Sequence, residues 1–289
     1  MAKKKPIVVA ICGNKGGIGK TVTACSLTDA LANVLGFKTL LIDADEQSNI
    51  RTTLGLKPLN IEAGLSSILL NDLDPKAVAV NVRKNIDVIL SGGRSIKDFD
   101  KTYSSAPDAE LLMRRRFEDT VDYDYIVIDC PPSLSLILSN VVAFADYLII
   151  PCAPDLLSLV GVKNTINFLD NLREHFVKKN MPMAKVAGVV PTMHELRRNI
   201  DRGIIDDLMS LADHNRLSGG MVFDPIKSET KVKTSQFKKK FLSECFPSSH
   251  AAQGYKKLAE DFVELIRRNH PTTKVRNKSP HAGVIEAEV

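Results

Sequence analysis

Lys15-Gly16-Gly17-Ile18-Gly19-Lys20-Thr21 follows an apolar run, Ile7 to Ile11, and leads into a helix-like run, Val22 to Leu35. A strand, a glycine-rich loop and a helix in that order make a phosphate-binding turn. The glycines let successive backbone N–H groups point at a polyphosphate, and the helix N-terminus adds positive potential. Lys20 is placed to reach the β- and γ-phosphates and Thr21 to hold Mg²⁺. The candidate nucleotide contacts are therefore Asn14, Lys15, Gly16, Gly17, Ile18, Gly19, Lys20, Thr21 and Val22. The strict pattern G-x-x-x-x-G-K-[ST] needs glycine where Asn14 stands, and an additional lysine, Lys15, precedes the paired glycines. Two lysines in one loop suggest two phosphate tasks.

Working outward, short apolar runs alternate with longer helical patterns. Strands are expected at Ile7–Ile11, Thr39–Ile42, Ile86–Leu90, Tyr125–Asp129, Tyr147–Pro151, Val186–Pro191 and Met221–Phe223, and helices at 22–35, 62–71, 107–119, 134–144, 158–179, 198–213 and 251–268. Continuous apolar strands are those of a sheet covered on both faces. The expected fold is α/β, a doubly wound, mostly parallel sheet with helices on both faces. Residues 1–268 read as one domain, and 269–289, without apolar periodicity, as a disordered tail.

Ligands of such sheets lie beyond the carboxyl ends of the strands, so polar residues just after strands carry the chemistry. Leu41-Ile42-Asp43-Ala44-Asp45-Glu46-Gln47-Ser48-Asn49 ends a strand in two carboxylates, of which Asp43 can equally cap a turn. Tyr125-Ile126-Val127-Ile128-Asp129-Cys130-Pro131-Pro132-Ser133 delivers one carboxylate and then a rigid diproline. Thr21, Asp45 and Asp129 form the candidate Mg²⁺ set, because Mg²⁺ keeps much of its water and needs few protein carboxylates.

Composition bounds the alternatives. The 289 residues are 44% hydrophobic and 25% charged, with a net charge of +5, as in a soluble globular protein. No apolar stretch approaches the ~18 residues of a membrane span, and a cytoplasmic location is expected. Cys12, Cys25, Cys130, Cys152 and Cys245 are scattered without a CxxC pair, which argues against a disulfide framework or zinc knuckle. The charge is mild, so a case for nucleic acid must rest on where the cations cluster.

The loop with its extra lysine resembles the deviant Walker A motif of the ParA/MinD family of P-loop ATPases. Residues 41–49 resemble that family's switch I, usually DxDPQxN, with Glu46 where proline is usual and Ser48 where glycine or alanine is common. Residues 129–133 resemble its D-x-P-P-S switch II. Gly188-Val189-Val190-Pro191-Thr192-Met193 resembles the strand end near the nucleotide base, adding Pro191 and Thr192 to the candidate contacts, and Gly254–Glu260 resembles the closing helix of ParA proteins. The resemblance implies ATP and Mg²⁺ as cofactors and slow hydrolysis. It also implies a homodimer in which Lys15 crosses to the partner's nucleotide, Lys20 binds the β/γ-phosphates, Asp45 orients the attacking water and Asp129 supports the metal's water shell. Lys15, Lys20 and Asp45 are the candidate catalytic residues.

Within the family, a MinD-like membrane regulator needs a terminal amphipathic helix, and the last residues contain two prolines and no apolar stripe. An iron–sulfur carrier needs paired thiolates, and a synthetase would have no use for Lys15. A partition ATPase needs a basic surface that grips phosphates without reading bases. Lys227, Lys231, Lys233, Lys238, Lys239 and Lys240 supply one cluster and Arg197, Arg198 and Arg202 another, while Arg114-Arg115-Arg116 reads as the polar side of a helix. Lys231, Lys233, Lys238, Lys239, Lys240, Arg197 and Arg198 are the candidate DNA contacts. Phe237 and Phe241, four apart, are expected to enter the core rather than to stack on bases. The short run before Ile7 gives no expectation of an amino-terminal helix-turn-helix. The reading is a Soj-like ParA protein: an ATP-dependent dimer on nucleoid DNA, released when a ParB-like or cargo-adaptor partner stimulates hydrolysis.

Overall fold

The computed structural model describes residues 5–56, 63–120, 122–195, 198–217 and 219–269. Their strands are β1 (Ile7–Ile11), β2 (Thr39–Asp43), β3 (Val80–Arg83), β4 (Ile86–Ile89), β5 (Tyr125–Asp129), β6 (Tyr147–Cys152), β7 (Lys185–Pro191) and β8 (Met221–Val222). The helices are α1 (Lys20–Asp29), α2 (Asn49–Leu54), α3 (Leu65–Asn71), α4 (Pro75–Val78), α5 (Ile96–Tyr103), α6 (Leu112–Arg116), α7 (Leu136–Phe144), α8 (Leu156–Lys178), α9 (Asn199–Asp213), α10 (Thr230–Phe237), α11 (Leu242–Cys245) and α12 (His250–Asn269).

The strands form one sheet in the order β3-β4-β2-β5-β1-β6-β7-β8, parallel except for the β3–β4 pair. Successive side chains of a strand point to opposite faces, and here both faces are covered. Val8, Ala10 and Cys12 enter one core with α3, α5, α7, α8 and α9. Val9 and Ile11 enter the other with α1, α2, α11 and α12. The expected doubly wound architecture is the one observed. β1 lies centrally, with β5 on one side and β6 on the other, so the loop after β1 opens at a point where connections diverge, the usual ligand position in such sheets.

Gly188 of β7 is a close-approach position: a Cβ there would lie 2.2 Å from the carbonyl oxygen of Met221 and 2.9 Å from Phe223 Cε2. Backbone cannot yield as a side chain can. Gly188→Ala is expected to cost about 1–3 kcal/mol, read as a fall of several degrees in thermal midpoint, through a loosened β7–β8 edge.

The differences from expectation have local causes. β3 is not expected from the sequence because Val80-Asn81-Val82-Arg83 is only four residues long, half polar and at the sheet edge; it turns back to β4 through Asn85, whose φ is 62°. The helix after the glycine loop starts two residues early, at Lys20, and its last turn widens into a π segment, Ala30–Val34. The expected helix over 107–119 is a 3-10 turn, Ala109–Leu111, followed by the short α6. Asn140 of α7 explains the break, since its amide oxygen accepts from Met113 N at 3.0 Å and its Nδ2 donates to Ala109 O at 2.9 Å, replacing helical partners. Phe237 does not enter the core: it is 88% exposed, whereas Phe241 is buried as expected. The expected helix start at 62, and the tail beyond Asn269, lie outside the described residues. Cys12, Cys25, Cys130 and Cys152 are buried, and burial pushes the thiols of Cys12 and Cys152 up to about 12.

Candidate nucleotide site

The glycine loop is shaped from below and from the side. Gly13 passes under Ile18, where a Cβ would lie 2.7 Å from Ile18 Cδ1. Gly17 and Gly19 adopt φ of 78° and 87°, a left-handed region that costs glycine nothing. Thr192, just past β7, donates its hydroxyl to Ile18 O at 2.8 Å, so it buttresses the loop as well as lining the cleft beside it. Pro191 stays within β7, and its carbonyl accepts from Ile226 N at 2.8 Å, which sets Ile226 into the cleft wall. Lys20 arches over the loop, donating to Lys15 O at 2.9 Å. Burial lowers the Lys20 pKa, and the nearby Asp129, Cys130 and Asp45 oppose that fall.

Three carboxylates meet at the ends of β2 and β5, where Asp43 and Asp129 are register neighbours. Asp43 is a turn-builder: its Oδ1 accepts from Asp45 N at 3.0 Å and its Oδ2 from Ile50 N at 3.4 Å, folding the loop into α2. Asp45 is 6% exposed, lines the cleft and accepts from Gln47 N at 3.0 Å. Glu46 is tied to Lys97 at 2.7 Å, and Ser48 sits at φ 49°, which accounts for the small residue that the resembled motif carries there.

Asp129 accepts the Thr21 hydroxyl at 2.6 Å through Oδ2, while its Oδ1 is buried and has no hydrogen-bond partner among the described residues. An orphaned anionic oxygen is costly, and one beside a hydroxyl and a second carboxylate is the donor set of a hard cation. Among the described residues no group of three His, Cys, Asp or Glu could cage a metal alone. The residues therefore fit Mg²⁺ held through water and phosphate oxygens, the usual way Mg²⁺ meets a nucleotide.

Burial raises the Asp129 pKa to about 7, against the Thr21 hydrogen bond and Lys20, with Asp45 adding to the rise. The consequence for stability has a definite sign. Between the unfolded value near 4 and the folded value, the native state holds the extra proton, so ligand-free stability falls as pH rises through that window. From pH 5 to pH 7 the fall should be on the order of 2 kcal/mol. Urea titrations of wild type and Asp129→Asn at pH 5, 6, 7 and 8 should show a steeper fall in wild type than in the variant, where the Asp43 carboxyl, itself raised by burial, still contributes.

Lys15 is held within its own chain. Its Nζ donates to Asp155 Oδ1 at 2.6 Å and to Ser158 Oγ at 3.0 Å. Asp155 caps α8, accepting from Ser158 N at 2.8 Å. Burial would raise the Asp155 carboxyl, but the hydrogen bonds from Lys15 and Ser158 prevail and hold it below the usual range. Gly161, one turn on, lets α8 approach Lys15, and Asn14 N donates to Thr165 Oγ1 at 3.0 Å. Sequence reading missed Asp155 and Ser158; the visible signal was an acidic cap, Asp155, directly after a strand.

These parts frame a cleft of 860 Å³. Gly16, Gly17, Gly19, Lys20, Thr21, Val22 and Asp45 line it, together with Val232, Lys233 and Phe237 of α10. Lys233, expected on a DNA surface, thus borders the nucleotide cleft. Lys231 is 4.0 Å from Glu229, Lys238 lies 5.3 Å over the Phe246 ring, and Lys239 and Lys240 are exposed. Arg198 immediately precedes α9 and pairs with Glu195 at 3.0 Å, whereas Arg197 lies outside the described residues. Arg114 donates to Ala143 O, Arg115 lies 3.8 Å from Asp108, and Arg116 pairs with Asp72.

A glycine loop on a doubly wound sheet, with a lysine, a threonine and two strand-end carboxylates, defines a P-loop nucleotide-binding protein. Residues 6–183, more than half of the chain, match a family model described as an AAA domain. Among curated proteins, the sporulation initiation inhibitor protein Soj of Bacillus subtilis is 31% identical over 205 residues, 70% of this chain and 78% of Soj. The chain belongs to the ParA/Soj family of P-loop ATPases. Its fold is similar to that of a single-substitution variant of McdA from Cyanothece in complex with ATP (TM-score 0.78, 21% identity, 91% of this chain and 97% of that one). It is also similar to cobyrinic acid a,c-diamide synthase from Mycobacterium smegmatis with an ATP analogue and magnesium (TM-score 0.74, 24% identity, 94% and 98%). Among the described residues no helix is long and apolar enough to cross a membrane.

Proposed function

We propose that this protein is a Mg²⁺-dependent ATPase that dimerises with ATP, binds DNA without sequence preference in that state and positions a DNA or protein cargo, with residues 1–268 acting as one nucleotide-binding unit. The observation that carries the reading is the convergence of Lys20, Thr21 and Asp45 on one cleft at the carboxyl edge of β1, β2 and β5, with Asp129 buried behind it on the Thr21 hydroxyl and a second lysine, Lys15, in the same loop. When bound, Mg²⁺ offsets phosphate charge as the terminal phosphoryl group departs. The chain's own residues do the rest. Loop N–H groups and Lys20 hold the phosphates, the Thr21 hydroxyl and Asp129 supply hard oxygens, and Asp45 accepts a hydrogen bond from the attacking water and aims it. Phosphoryl transfer asks chiefly for this positioning and charge stabilisation.

Release from DNA would follow hydrolysis stimulated by a ParB-like or adaptor partner, giving a cytoplasmic protein that associates with the nucleoid while ATP is bound. The exposed lysines of 231–240 and Arg198 support the DNA half, because each neutralised phosphate releases counterions and dimerisation doubles the contacts. The test is gel shifts on random-sequence duplex with a slowly hydrolysed ATP analogue or ADP, over a salt series, beside anionic vesicles. Binding with the analogue alone, with a log–log slope near −0.9 per contact, is expected. Protein loaded with the analogue that ignores duplex at low salt but binds vesicles would replace this reading with a membrane-surface one.

A further inference from the structure

Phe237 is the most exposed large apolar side chain among the described residues, at 88%. It closes α10, and Lys238, Lys239 and Lys240 follow at once. The left-handed Lys239, at φ 57°, reverses the chain, so that Phe241 drops into the core while Phe237 stays at the exposed rim of the nucleotide cleft. The tip is not loose. Lys239 N donates to Gln236 O at 3.0 Å, Lys240 N donates to Ser235 O at 3.1 Å, and the Lys239 stem lies so close over Gly55 that a Cβ there would sit 2.5 Å from Lys239 Cδ. The nearest carboxylates are already engaged, Glu229 with Lys231, His250 and Ala251 N, and Glu244 with Arg83 and Phe241 N. Among the described residues Lys233, Lys238, Lys239 and Lys240 form no ion pair with any carboxylate.

An exposed aromatic ring on a tip that also carries four cations without carboxylate partners among the described residues, one of them over the Phe246 ring, fits one class of ligand well: a polyanion that also carries flat apolar faces. We propose that the α10 tip is a base-stacking site for DNA, in which Lys233, Lys238, Lys239 and Lys240 grip phosphates and Phe237 stacks on an unpaired base. This rests on the DNA-binding reading above and adds a preference to it. In duplex the base faces are already stacked, and inserting a ring must first open a step. In a single strand they are free, and stacking on an aromatic side chain is sequence-tolerant.

The expected result is therefore asymmetric. With each protein saturated with the ATP analogue, as checked by titration, Phe237→Ala should weaken binding of a single-stranded oligothymidine relative to duplex by about 5- to 150-fold, the range for one stacked base. Its salt slope should match wild type, while a Lys238→Gln, Lys240→Gln double variant should lose slope on both strand forms. Because the ring is exposed, the thermal midpoint of Phe237→Ala should not move. The chain contains no tryptophan, so Phe237→Trp supplies a sole indole whose emission reports stacking directly. Quenching by oligothymidine supports the proposal. Emission already changed by the ATP analogue before any DNA is added would overturn it, since the ring would then serve the nucleotide base or a second copy of the chain. Wild-type affinity of Phe237→Ala for the single strand, with an unquenched indole, would also overturn it while leaving the lysine-based DNA reading intact. Absence of wild-type binding to either strand form would instead remove the DNA reading itself, and the stacking site with it.

Discussion

Asp45→Ala is expected to bind ATP with near wild-type affinity and to hydrolyse it at least about 100-fold more slowly, the loss that follows removal of a group that activates or aims a nucleophile. The separation of binding from hydrolysis follows from where the groups stand. In the proposed mechanism Lys20 and the loop N–H groups hold the phosphates, and neither depends on Asp45 for its position: Lys20 is fixed by Lys15 O, and the loop by Thr192 and the Gly13–Ile18 contact. Asp45 does hold its own loop through Gln47 N, so alanine also removes one local hydrogen bond worth about 1 kcal/mol. Asp45→Asn keeps an acceptor for Gln47 and loses only the charge, and it should reproduce the kinetic loss without the stability loss. Single-turnover hydrolysis beside equilibrium titration with a fluorescent ATP analogue separates the two. Wild-type turnover in either variant would remove Asp45 from the mechanism.

How much of this could be read from sequence varied with the range of the interaction. The sheet was legible because its strands are buried on both faces, so that Tyr125–Asp129 or Tyr147–Cys152 appear as unbroken apolar runs. The phosphate loop was legible because its glycines and lysine are adjacent in the chain. What stayed hidden depended on distant partners. Asp43 could have been a ligand or a turn-builder until its contacts with Asp45 N and Ile50 N were seen. The i, i+4 spacing of Phe237 and Phe241 implied one buried stripe on a continuous helix, but α10 ends between them, and the left-handed Lys239 sends the two rings to opposite sides. The role of Asp155 required knowing that α8 packs beside the loop, 140 residues away in sequence.

That ion pair shapes the largest remaining expectation. Lys15 cannot serve a second subunit while Asp155 and Ser158 hold it, so the proposed dimer has to free it. The hold is weak because of its surroundings: both side chains are partly exposed, and such pairs contribute about 0.2–1 kcal/mol, far less than a triphosphate offers a desolvated cation. Leu156, Leu157 and Val160 stand exposed on α8 beside Asp155, an apolar rim that a second copy would cover as Lys15 crosses. Two substitutions should therefore move in opposite directions. Lys15→Ala should abolish the dimer formed with a slowly hydrolysed ATP analogue, and should lower hydrolysis by about 10³-fold or more if the lysine acts on the transition state as a cation supplied in trans. Asp155→Asn keeps the α8 cap but gives up the charge, and should let the dimer form at up to about fivefold lower protein concentration, the equivalent of about 1 kcal/mol. Light scattering of the three proteins with the analogue and with ADP measures both effects. An undiminished dimer in Lys15→Ala would show that the second lysine of the loop works within its own subunit, and its contact with Asp155 would then be the arrangement that lasts through the cycle.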